Sequence, residues 1–64
     1  MKLNKERKII ETAVRNACFK FEFQNQYRKE IARLAASLAD KNGVNVADAP
    51  YLQEIFIDAI DENL

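Results

Sequence analysis

Apolar residues in this chain recur at helical spacing in three segments, parted by two short breaks. In residues 4–22, Ile10, Val14, Ala17 and Phe21 follow one another at intervals of four, three and four. At about 100° per residue they span roughly 60° of one helix face, with Ala13 on the flank and Cys18 roughly 80° from the stripe centre. Asn4 is the expected N-cap. Glu11 and Arg15 form an acid-to-base pair in the favourable order.

Residues 26–41 carry the clearest pattern. Tyr27, Ile31, Leu34 and Leu38 repeat the same spacing, widened by Ala35, and the opposite face carries Arg28, Lys29, Arg33 and Lys41. Ala32, Ala35, Ala36 and Ala39 favour helix and allow a neighbour to approach closely. Lys41-Asn42-Gly43 is a stop signal: a base in the last turn, then glycine for the left-handed residue, with Val44 placed to fold back over Leu38 or Ala39. A short connection over 44–49 leads to a third helix over 50–62, whose stripe is Leu52, Ile55, Phe56, Ala59 and Ile60, with Tyr51 and Ile57 at its edges. Asp48 or Ala49 caps it, Asp48 being the better acceptor, and Pro50 suits the first turn. Asp61 and Glu62 have the wrong sign for a helix C-terminus, which predicts fraying unless a basic group faces them.

The stretch joining the first two helices is harder to place. Phe19, Phe21 and Phe23 alternate with Lys20 and Glu22, which is the period of a strand. The row is only five residues long, and Val44-Asn45-Val46 is the one segment available to pair with it. On a helix, Phe21 joins the first stripe, whereas Phe19 and Phe23 lie about 180° and 220° from Ile10 and lead instead into Tyr27 and Ile31. The apolar face therefore changes sides between residues 17 and 27. A turn around Phe23–Asn25, with Asn25 capping the second helix, would bring both stripes into one core. A single bent helix over about 4–41 would be roughly 55 Å long and would need a second chain to cover it. The expected fold is all-α: a small three-helix bundle with helices at about 4–22, 26–41 and 50–62, forming one domain over 1–64. The long bent helix in an oligomer is the alternative.

Size limits what such a bundle achieves alone. For 7.4 kDa, about 4,200 Å² of folded surface is expected, so only about 60% of the unfolded surface is buried. Cys18 is the only cysteine and there is no histidine, so neither a disulfide nor a structural zinc supports the core, and no metal or cofactor is expected. No apolar run approaches the ~20 residues of a membrane span. The N-terminus lacks the apolar region of a signal peptide, making the cytoplasm the default location.

Candidate chemistry is sparse. Ser37, the only serine, sits in an alanine-rich helix with no base to activate it, and Cys18 has no histidine partner. One glycine excludes a phosphate-cradling loop, and the spacing of Asp58, Asp61 and Glu62 fits no EF-hand. The chain is therefore expected to be non-catalytic. Net charge is zero, yet all ten Lys and Arg lie in residues 2–41 with five acids, and residues 42–64 carry five acids and no base.

Those observations leave recognition. The expected function is a non-catalytic protein-protein interaction module, a regulator or inhibitor that binds another protein and self-associates. Phe19, Phe23 and Tyr27 would be the anchors, with Arg28 on the rim. A homodimer is the favoured oligomer, the basic half of one copy meeting the acidic tail of the other. The competing reading makes the rings ordinary core. Among other functions, a nucleic-acid-binding regulator would use the basic outer faces of helices one and two: Lys5, Lys8, Arg15, Arg28, Lys29 and Arg33. Glu6, Glu11, Glu22 and Glu30 interrupt that surface, and the third helix, without Lys or Arg, would be repelled by phosphate. Membrane adsorption is disfavoured because helix one has acids on its polar face and no tryptophan.

Overall fold

The computed structural model describes residues 2–64, with side chains from Asn4 onward. The first helix, α1, runs Lys2–Lys20, α2 runs Arg28–Lys41 and α3 runs Pro50–Asn63, with a 3₁₀ turn at Asn25–Tyr27 ahead of α2. No strand occurs among the described residues, so the phenylalanine row pairs with nothing in the 44–46 segment. The longest dimension is 32 Å. A continuous helix over 4–41 would need about 55 Å, so the chain turns.

How α1 ends explains the turn. Glu22 N–H donates to Phe19 O at 3.1 Å and Phe23 N–H donates to Cys18 O at 2.7 Å, the paired closing bonds of a Schellman motif. That motif needs a left-handed residue, and Glu22 supplies it at φ 58°. Phe23 follows at φ 56°. Two consecutive non-glycine residues in this region are energetically unfavourable, but together they reverse the chain before Tyr27.

Two expected boundaries and one capping preference are corrected. Asn4 is not a cap: nothing in KLNKERK breaks a helix, and α1 extends through Asn4 to Lys2. Asn25 does not cap α2, because residues 25–27 form the 3₁₀ turn and Tyr27 becomes the N-cap without a side-chain bond. Asp48 does not cap α3. Its N–H donates to Asn45 O at 3.0 Å while the Asn45 side chain accepts from Ala47 N–H at 3.0 Å. This local turn leaves Ala49 as N-cap, with Pro50 in the first turn. The stop after α2 follows the expectation closely. Gly43 has φ 89°, its N–H reaches Asp40 O at 3.0 Å, and Val44 N–H reaches Ala39 O at 2.9 Å. Val44 is buried.

The helices run up, down and up. Tyr51 at the start of α3 bonds Glu6 near the start of α1, and Asp61 at the end of α3 pairs with Arg28 at the start of α2. Both α2 and α3 pack along α1 and make few direct contacts with each other. Thus α1 buries a wider face than a single stripe: Ile10, Ala13, Val14, Ala17 and Cys18. Cys18, expected at the boundary, is fully buried because it faces the second neighbour. Opposite them lie Ile31, Ala35 and Ala39 of α2, and Leu52, Ala59 and Ile60 of α3. Small residues dominate α1 and α2 at these contacts, which lets their backbones approach. Total exposed surface is 4667 Å², about a tenth above the value expected from mass.

The two left-handed helix ends predict opposite mutational signs. Gly43→Ala should destabilise by about 1 kcal/mol through backbone strain alone, since nothing lies within 4 Å of an added Cβ. Glu22→Gly should stabilise by about 0.5–1 kcal/mol. Urea denaturation at an unchanged m-value would measure both, and a destabilising Glu22→Gly would refute the strain at that turn.

Candidate protein-interaction surface

The four rings near the α1–α2 corner separate into two pairs. Phe21 is half-buried against the core and lies 5.4 Å, centroid to centroid, from Tyr27 at a 34° tilt. Phe19 and Phe23 meet edge to face, with centroids 6.4 Å apart and planes at 83°, a favourable arrangement for aromatic rings. Phe19 projects from the solvent face of α1 and is 75% exposed, while Phe23 is 43% and Tyr27 38% exposed. Of the expected anchors, Phe19 and Phe23 therefore come together and Tyr27 turns toward Phe21. The left-handed backbone at Phe23 aims its ring at Phe19 one turn back.

Arg28, expected on the rim, is engaged within the chain by Asp61 of α3. Each of these charges has the wrong sign for its own helix end, a cation in the first turn of α2 and an anion in the last turn of α3. Antiparallel packing places each against the other, so the basic group that α3 requires comes from α2. That is the condition under which no fraying was expected, and Asn63 Nδ2 also donates to Ala59 O at 2.7 Å and Leu64 N–H to Ile60 O at 3.0 Å. Because both side chains are about half exposed, the pair contributes at most about 1 kcal/mol.

The other basic candidates, Lys5, Lys8, Arg15, Lys29 and Arg33, are all exposed. Among the described residues none of them has an acidic group within ion-pair distance. They are divided between α1 and α2. Lys5 and Lys8 edge an open groove of about 330 Å³ between the start of α1 and the end of α2. Its floor is apolar, from Ile9, Ala13 and Leu38, and Thr12 and Asn16 complete the α1 side. Sequence spacing had not singled out this groove. The available signal was Ile9, an apolar residue about 100° off the main stripe.

Two titratable groups report on local structure. Burial pushes the Cys18 thiol above its ordinary value, the opposite of what a nucleophile needs. The Tyr51 hydroxyl donates to Glu6 Oε1 at 3.1 Å. That bond, then desolvation and the nearby negative charges of Glu6 and Asp48, raises the phenol above its ordinary value of 10.0. No group of three or more acidic, histidine or cysteine side chains suited to a metal occurs among the described residues. No described helix is long and apolar enough to cross a membrane.

No protein-family model, curated protein or solved structure matches this chain. Its own surface is the available guide. Among the described residues, the most exposed large apolar group is Phe19.

The buried thiol predicts slow chemistry. Cys18 should react with an aromatic disulfide reagent at pH 8 at least about tenfold more slowly than a free thiol, and at the free rate in denaturant. Equal rates in both conditions would place the thiol at the surface. For Tyr51, the phenol is the bonded form, so the folded state holds its proton more tightly than the unfolded chain. The contribution to stability is complete below pH 10 and is lost as pH rises through the folded pKa. In a Tyr27→Phe background, phenolate absorbance should develop above pH 10, and Glu6→Gln should move the transition back toward 10.

Proposed function

We propose that this chain is a small non-catalytic protein-protein interaction module of the cytoplasm, a regulator or inhibitor that self-associates and binds another protein through the α1–α2 corner. The observation that carries this reading is the Phe19–Phe23 pair. An edge-to-face pair held by two left-handed residues, with one ring 75% exposed, adds little to a monomer's core. Preorganised aromatic groups are efficient anchors, because little side-chain freedom remains to be lost on binding. Backbone strain at the same turn fits a site selected for what it presents. Non-catalytic action is supported by the chemistry present: the thiol is buried and poorly ionised, and Ser37 has no histidine to serve as its base.

A nucleic-acid-binding regulator is the second reading, favoured by the exposed Lys5, Lys8, Arg15, Lys29 and Arg33, which have no acidic partner among the described residues. It is weakened at Arg28, where Asp61 places a carboxylate beside the basic start of α2. Phosphate would meet that acid at the patch edge.

Sedimentation and photo-crosslinking test the proposal. The pure chain should self-associate at high micromolar concentration, and the Phe19→Ala/Phe23→Ala variant should sediment as a monomer with an unchanged helical circular-dichroism spectrum. A photoreactive residue at position 19 should capture a partner protein that the same residue at exposed position 53 does not. A wild-type monomer at high micromolar concentration would end the self-association claim, and equal capture from both positions would end the claim about this surface. Duplex or single-strand affinity that falls with salt and weakens in Arg28→Ala/Arg33→Ala would favour the second reading, whereas no binding at about 50 mM salt would remove it.

A further inference from the structure

We infer that the groove edged by Lys5 and Lys8 receives the Phe19–Phe23 pair of a second copy of this chain, in an isologous antiparallel α1–α1 dimer. This rests on the reading that the chain self-associates, and it assigns the two surfaces that meet. Projection and groove lie on the same side of the same helix. Lys5, Lys8, Thr12, Asn16 and Phe19 fall within about 80° of arc on α1 at 100° per residue, and Ile9 adjoins them. All five are exposed and Ile9 is half-buried, so neither α2 nor α3 covers this sector.

Spacing makes the match reciprocal. Ile9 and Phe19 are ten residues apart, about 15 Å along the helix. In an antiparallel pair with Phe19 opposite Ile9 of the second copy, the two-fold axis places Ile9 opposite that copy's Phe19. The same register sets Thr12 opposite Asn16 and brings the Glu22–Phe23 turn over Lys5. Each copy thus offers one exposed ring pair and one apolar floor of Ile9, Ala13 and Leu38.

Charge favours this occupant as well. Among the described residues, Lys5 and Lys8 have no acid within ion-pair distance, and Glu22 has no cation. Its carboxylate accepts from the Gln24 side chain, at 3.2 Å. The two-fold arrangement brings Lys5 and Glu22 of different copies together twice. Zero net charge removes the overall repulsion that would oppose a dimer. A standard interface of about 800 Å² per partner would occupy roughly a sixth of the 4667 Å² exposed, an area one α1 face and its adjoining turn can supply.

The direct test is isotope-filtered NMR on an equal mixture of ¹³C-labelled and unlabelled wild-type chain at high micromolar concentration. Contacts between copies are expected from Phe19 ring protons to the methyl groups of Ile9 and Leu38. Sedimentation of Phe19→Ala and Lys5→Glu, both at exposed positions, should show dimerisation weakened by at least about tenfold for Phe19→Ala and by a smaller factor for Lys5→Glu. Combining Lys5→Glu with Glu22→Lys should restore part of the loss. A dimer whose intermolecular contacts avoid Ile9 and Leu38 would overturn this arrangement while leaving self-association standing. A strict monomer would overturn both, and capture of another protein from position 19 would still be judged independently.

Discussion

The fold depends on α1 stopping at Lys20. Beyond that point the apolar residues change sides, and a straight continuation would leave Phe19, Phe23 and Tyr27 on one face and the Ile10–Val14–Ala17 stripe on another. Each face would then need its own cover. The left-handed pair Glu22–Phe23 removes the conflict by reversing the chain within a few residues. No glycine occupies either position, so the reversal stores strain that the packing of α2 against α1 must offset. Where Gly43 performs the same function after α2, the strain is absent.

Once the chain has reversed, α1 becomes the centre of the molecule. It packs against α2 on one side and α3 on the other, while those two make few contacts with each other. This accounts for the wide buried arc of α1, the enclosure of Cys18, and a surface larger than mass alone predicts. It also accounts for the open third side of α1. In a bundle of only three helices, the central helix keeps one face in solvent, and here that face carries the groove and Phe19.

Electrostatics follows the same topology. Basic residues gather in the first two helices and acids in the third, so the up-down-up path sets unlike charges side by side. Arg28 and Asp61 each correct the other's unfavourable position at a helix end. An exposed pair of this kind adds little stability, but it fixes which end of α3 lies beside the start of α2. Tyr51 and Glu6 mark the opposite end of the bundle. Together the two contacts define the placement of α3 in the bundle more than they strengthen the fold.

The sequence by itself determined the three helices, their apolar stripes, the glycine stop after Lys41 and the place where the apolar face changes sides. Those features are local: helical periodicity, alanine content and the φ preference of glycine act within a few residues. It also identified Phe19 and Phe23 as rings that a single stripe leaves out. Only tertiary structure decided which rings pair, because Phe21 and Tyr27 are brought together by a reversal whose left-handed residues, Glu22 and Phe23, carry no local signal for it. Tertiary structure likewise decided that Cys18 is enclosed, that Asp61 meets Arg28, and that Ile9 and Leu38 form the floor of one groove. Each joins residues on different helices, and no periodicity within one segment encodes the register between two.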